Sequence, residues 1–200
     1  MTTTDRTSST TTALPGTART YGHALRRLYL VRFVVAAVWV GVMFATSADA
    51  TEPTALLTVL LVLYPLFDAG AVLWQLRADP DPRRSKAAER TNVVVSVVVA
   101  VALGIASSNT IPAALAVWGA WAIVAGVPQL IAAIRNRSTG GQVAQMLSGG
   151  ISVVAGLGFL SQGLQDHGTI SGTAGYAALG AIFFLVSALR LVATSRKQDS

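Results

Sequence analysis

Six long apolar runs cross this chain, and every lysine and arginine falls on one side of them. The runs cover residues 28–45, 55–76, 93–106, 111–134, 143–160 and 174–193. A helix needs roughly 20 apolar residues to cross about 30 Å of hydrocarbon. Most runs approach that length, and the third is expected to extend at both ends. Backbone groups in lipid must be satisfied within the segment, so runs of this length predict helices rather than open strands. The expected fold class is therefore all-α, a polytopic membrane protein with six transmembrane helices.

The cations give the scheme a direction. All 15 lysines and arginines lie before the first run or just inside it (Arg6, Arg19, Arg26, Arg27, Arg32), in the second connection (Arg77, Arg83, Arg84, Lys86, Arg90), in the fourth (Arg135, Arg137), or at the C-terminal end (Arg190, Arg196, Lys197). The first, third and fifth connections hold Asp49, Glu52, Asp166 and His167 instead. Cationic flanks resist translocation, so this asymmetry predicts both termini in the cytoplasm. One missed crossing would scatter the cations over both faces, so the same asymmetry supports the count of six.

A sequence pI near 10.5 raises nucleic acid as a partner. The cations are spaced between apolar runs rather than gathered in a basic stripe with interleaved aromatics, so the partner expected is the lipid bilayer, not nucleic acid. Charged residues make up 12% of the chain, against roughly 25% in soluble domains. The absence of cysteine excludes disulfides, thiolate metal sites and cysteine nucleophiles.

Residues 1–24, rich in Thr and Ser, have few large apolar side chains and read as a disordered cytoplasmic tail. Residues 25–195 form the membrane domain, and 196–200 a short cytoplasmic tail. Ala48, Asp49 and Ala50 offer a small-residue cleavage pattern after the first run. That run is longer than the roughly 7–15 residues of a signal-peptide core, so it is expected to be retained.

The runs also show internal similarity. Small residues recur four apart in the odd runs: Phe33, Ala37, Gly41, Ala45; Ser96, Ala100, Gly104; Ser148, Ser152, Gly156. The even runs carry an aromatic, a glycine and a terminal arginine in order: Tyr64, Gly70, Arg77; Trp118, Gly126, Arg135; Tyr176, Gly180, Arg190. Spacing of four places residues on one helix face, where small side chains let helices approach. Gly41, Gly104, Gly156, Gly70, Gly126 and Gly180 are thus the expected packing positions. The six helices read as three two-helix repeats, approximately 28–77, 91–135 and 143–193.

The segment AVWGAWAIVAGVPQLIAAIRNRSTGGQVAQMLSGGISVVAGLGFL (residues 116–160) resembles the bacterial HdeD-type membrane proteins. Trp118, Gly119, Gly126, Arg135 and the glycines from Gly150 to Gly158 match that family in type and spacing. The likeness extends loosely from Arg26 to Arg196; the Thr-rich tail and the first repeat depart from it. The resemblance implies a protein of the bacterial plasma (inner) membrane linked to acid tolerance or envelope stress; with no catalytic constellation in the chain, the expected protein is non-enzymatic and acts by helix packing and contact with copies of itself or other membrane proteins.

Chemistry-bearing residues are few. The chain has no P-loop, no nucleophile elbow and no His-Glu-x-x-His, and nothing that would hold a cofactor or metal. Its two histidines, His23 and His167, are expected on opposite sides of the membrane. Asp68 is the acidic residue inside a run, about 14 Å from the helix end at Arg77. An unpaired carboxylate there costs roughly 2.5–3.5 kcal/mol, so it must find a partner, face the bundle or stay protonated. Arg32 is the expected partner, with Tyr64 one turn away and Pro65 a possible source of freed carbonyls. The pair reads either as a structural ion pair joining the first two helices or as a proton-sensitive site in a small transporter or channel. Asp166 and His167 form a second candidate, a solvated loop pair or an outer-face pH sensor. Trp39, Trp74, Trp118 and Trp121 are expected to face lipid or the interface.

Overall fold

The computed structural model describes residues 15–47, 50–81, 85–137 and 142–198. They form six α-helices and, among the described residues, no strand: α1 Pro15–Ser47, α2 Ala55–Ala78, α3 Ala87–Ser107, α4 Ile111–Arg135, α5 Gln142–Leu164 and α6 Ser171–Gln198. All six are long and apolar enough to cross a membrane. The third run is extended at both ends, as expected. Helix α1 begins at Pro15, inside the segment read as a tail, because Ala18, Tyr21, Ala24 and Leu25 continue a helix-compatible pattern ahead of the apolar run. Helix α6 likewise runs past residue 195 to Gln198. Residues 1–14 of the expected tail, Ala48 and Asp49 of the cleavage pattern, and Arg83 and Arg84 lie outside the described residues.

Local chemistry explains the helix ends. Thr54 caps α2 by accepting from Leu57 N at 3.2 Å, and Thr110 caps α4 by accepting from Ala113 N at 3.1 Å. Each satisfies a backbone donor that the first turn leaves free. Pro112 stands in the first turn of α4, where its missing N–H costs nothing. At the other end of α2, Lys86 Nζ donates to the carbonyls of Leu76 and Asp79 at 3.3 and 3.0 Å, neutralising the carbonyl end of that helix.

Each helix packs on its neighbours in chain order, and α6 closes back on α1. The contacts run antiparallel. Arg32 meets Asp68 while Trp39 meets Leu60; Asp68 meets Asn92 while Thr58 meets Ser107. One end of the bundle therefore carries Arg26, Arg77, Arg90, Arg135 and Arg190, and is called the basic end below; the far end carries the α1–α2, α3–α4 and α5–α6 connections.

The tightest pair is α4 with α5. Its seam carries glycine on both sides: Gly119 faces Gly156, Gly126 faces Gly149, and Gly163 lies against Pro112 and Ala116. A Cβ on Gly119 would stand 2.5 Å from Leu160 N, and one on Gly156 would stand 2.7 Å from Gly119 O. These obstacles are backbone and cannot turn aside. Within each helix the seam glycines are seven apart, the spacing that keeps one seam in register along a left-handed crossing.

Four of the expected packing glycines do not pack this way. Gly41 and Gly70 are exposed, with nothing within 4 Å of an added Cβ. Gly104 has only an ordinary contact with Val62 at 3.5 Å, and Gly180 only Tyr64 Oη at 3.9 Å. Gly126 and Gly156 alone of the six fulfil the expectation. In α1 the whole four-spaced stripe is turned outward from Ala37 to Ala45, because Arg32, Ala36, Trp39 and Met43 take the buried face. Arg32 and Trp39, whose partners Asp68 and Leu60 O lie on α2, set this rotation and leave the stripe outside.

Candidate functional site

Asp68 stands on the inward face of α2, with Pro65 and Ala69 buried beside it. Its carboxylate collects donors from two other helices. Arg32 Nη2 of α1 donates to Oδ1, and Asn92 Nδ2 and Ser96 Oγ of α3 donate to Oδ2 at 2.8 and 3.1 Å. Arg32 and Asp68 form the expected ion pair, with side chains 11% and 19% exposed. Helix α6 adds the ring of Phe184, 4.4 Å from Arg32 Cζ, and that ring stacks on Tyr29. A guanidinium gives up its hydration more readily than an ammonium and stacks on aromatic faces, so arginine suits this position better than lysine. Four helices thus meet in one node with no net charge.

Asn92 and Ser96 had no assigned role in the sequence. Their signal was nevertheless present: two polar side chains four apart in an apolar stretch share one face of α3.

One turn toward the far end, the interior is aromatic. Tyr64 lies 4.5 Å from Trp39, 5.6 Å from Trp118 and 6.1 Å from Trp121, centroid to centroid. Trp39 stacks on Trp118 at 5.5 Å, and Trp118 meets Trp121 edge-on at 5.3 Å. This corrects the expectation of lipid-facing tryptophans. Trp118 is completely buried and Trp39 and Trp121 nearly so; only Trp74 is exposed. The reason is the gap at the centre of a six-helix ring, which only large side chains can fill. Trp39 Nε1 donates to Leu60 O at 2.8 Å. Pro65, buried in the same helix, lacks the N–H that would meet the next carbonyl, Leu61 O. The Nε1 of Trp118 and the Nε of Arg32 are buried without an acceptor.

Tyr176 of α6 completes the layer. Its hydroxyl donates to Ser152 Oγ at 2.9 Å, and Ser152 Oγ donates to Ser148 O at 2.9 Å. The aromatics at the head of all three even-helix patterns, Tyr64, Trp118 and Tyr176, therefore turn inward.

Asp166 and His167 form no comparable site. Both are exposed in the α5–α6 connection, and the His167 ring lies 3.3 Å from Gln165 Oε1. No ion pair joins them among the described residues. Asp166 has a left-handed backbone (φ 55°), as does Gly168 (φ 112°), so this connection is a tight turn. No group of three metal-ligating side chains occurs among the described residues. Among the described residues the node and aromatic layer offer one carboxylate with three donors, one guanidinium, the Tyr64 phenol walled by indoles, and the Tyr176 phenol edge-on to Phe159. No family model, curated protein or solved structure matches the chain.

Proposed function

We propose that this protein is a non-enzymatic, multi-pass protein of the bacterial inner membrane, with both termini in the cytoplasm, acting by helix packing and partner contact in envelope stress or acid tolerance. The observation that carries it is the Asp68 node. The carboxylate accepts from Arg32, Asn92 and Ser96, so it is built to stay in place rather than to exchange protons along a chain. Orientation is supported by the 15 cations on one side of six spans. The resemblance of residues 116–160 to HdeD-type proteins supports the physiological setting. Three related hairpins remain the proposed origin of the six helices.

A small transporter or channel is the second reading. It is favoured by one observation: the Asp68 side chain keeps 19% of its surface exposed inside a span. Proton flux in reconstituted vesicles separates the two. Packing and partner contact predict no flux above bare lipid, together with a crosslinked membrane partner or second copy. A proton flux abolished by Asp68→Asn, in a variant that still folds, would overturn the proposal in favour of transport.

A further inference from the structure

The exposed helix faces share one ending. On α1, exposed Arg27 is followed by Val31, Val34 and Val38, each more than half exposed. On α2, exposed Leu66, Gly70 and Trp74 lead to exposed Arg77. On α3, exposed Arg90 is followed by Val94, Val98 and Val101, again more than half exposed. On α4, exposed Val124, Val127 and Ile131 lead to exposed Arg135. Steps of three and four keep each series on one helix face. Arg190 follows Leu179, Ile182 and Val186 on α6 in the same way, whereas α5 contains no arginine. Each series runs about 16 Å along its helix, the depth of one leaflet of a hydrocarbon core about 30 Å thick.

The guanidiniums at these endings are free to take a ligand. Arg27, Arg77, Arg90 and Arg135 make no hydrogen bond or ion pair among the described residues. The carboxylates described at this end are placed otherwise: the Asp79 side chain is 6% exposed and 4.0 Å from Lys86 Nζ, and Asp81 and Glu89 have interactions of their own. Lys86 itself is turned onto the carbonyls of α2. An arginine fork matches two oxygens of a phosphate, which a lysine does not. Trp74 adds an exposed indole one turn inside Arg77, the place of an interfacial anchor. Arg27 and Arg77 lie five and nine residues to the basic side of the paired Arg32 and Asp68, about 8 and 14 Å along their helices. That spread fits a headgroup layer roughly 5–8 Å deep.

We propose that the basic end binds anionic phospholipids, each with its phosphate on one of these arginines and an acyl chain along the apolar series below it. No carboxylate stands on these faces to meet the ammonium of a zwitterionic headgroup, so a headgroup of net negative charge is selected. The opposite ends of the same helices carry no cation, so the selection belongs to one leaflet. The inference rests on the membrane reading and on no particular role, so its failure leaves the proposed function standing.

Trp74 reports on its own site, because Trp39, Trp118 and Trp121 are buried. The protein would be reconstituted in vesicles of phosphatidylcholine and phosphatidylglycerol, with brominated acyl chains on one lipid or the other. Quenching of tryptophan fluorescence then gives the relative affinity of the two lipids at the α2 face. Phosphatidylglycerol should be preferred about fivefold, the effect of one cation at an anionic surface. Arg77→Gln should bring the preference to within about twofold of unity, and high salt should weaken it in the unchanged protein. Arg137→Gln, beyond the end of α4 and off these faces, removes the same charge and should leave the preference intact. Trp74→Phe should abolish most of the quenching. Free glycerol phosphate should not compete, since it lacks the chains that lie along the helix. The proposal is overturned by equal affinity for the two lipids, by a preference that survives Arg77→Gln or is indifferent to salt, or by an equal loss in Arg137→Gln, which would mark diffuse charge. Quenching that persists in Trp74→Phe, or displacement by free glycerol phosphate, would equally contradict it.

Discussion

The node makes a quantitative prediction through its asymmetry. Asp68 offers two acceptor oxygens, one to Arg32 and one to Asn92 and Ser96. Asn at that position has one acceptor and one N–H donor group. Whichever way its amide turns, N–H faces a donor: the guanidinium, or the amide and hydroxyl of α3. The charge that offsets Arg32 is also gone, and arginine does not release its proton. Breaking a buried pair in this way costs about 3–5 kcal/mol. Arg32→Met is milder, because the carboxylate keeps its bonds from Asn92 and Ser96; about 2 kcal/mol is expected, near the size of one charge-assisted hydrogen bond. In the double variant no charge remains, and Asn at 68 still pairs with Asn92 and Ser96. The two effects should therefore fall short of additivity by at least about 2 kcal/mol, within the range seen for residues in one network. The assay is unfolding in mixed micelles titrated with a denaturing detergent and followed by tryptophan fluorescence. A coupling below about 0.5 kcal/mol, typical of independent sites, would refute the node as a cooperative unit.

Other consequences are simpler to read. Gly119→Ala and Gly156→Ala should each destabilise by more than about 2 kcal/mol in the same titration, since the added Cβ meets backbone, whereas Gly41→Ala and Gly70→Ala should be neutral or slightly stabilising. Trp118→Ala should cost about 3–5 kcal/mol by leaving a cavity, and Trp74→Ala less than about 0.5 kcal/mol. Trp118→Phe, which also removes a buried N–H without an acceptor, should cost far less than Trp118→Ala. Tyr176→Phe should cost about 1 kcal/mol by losing the bond to Ser152, and Ser152→Ala should add little in the Phe background.

The helices were legible because hydrophobic length is a one-dimensional property. Even the short third run was readable, since Ala87 to Thr91 continue a helix without being apolar. The ion pair was legible too: a carboxylate and a guanidinium inside neighbouring apolar runs have few alternatives in a low dielectric. Which face turns inward was not legible for α1. Its small stripe resembles those of α3 and α5, yet the burial of Arg32 and Trp39 decides its rotation, and both depend on partners in other helices. The inward placement of the tryptophans was not legible for a related reason. An interfacial indole and a core indole have the same sequence signature, and only closure of the ring creates the central space that Trp39, Trp118 and Trp121 fill. The glycine seam was readable in principle from Gly149, Gly156 and Gly163, but at a spacing of seven rather than four.

Six crossings with the cations on one side are what place the node and the aromatic layer relative to the membrane. Sidedness of single thiols in the connections tests this directly, in a chain that has no cysteine of its own. Thiols introduced at Ser85 and Arg137 should react with an impermeant reagent only from the cytoplasmic side, and thiols at Glu52, Asn109 and Asp166 only from the opposite side. Reaction of Ser85→Cys and Asn109→Cys from the same side would remove a crossing and contradict the account.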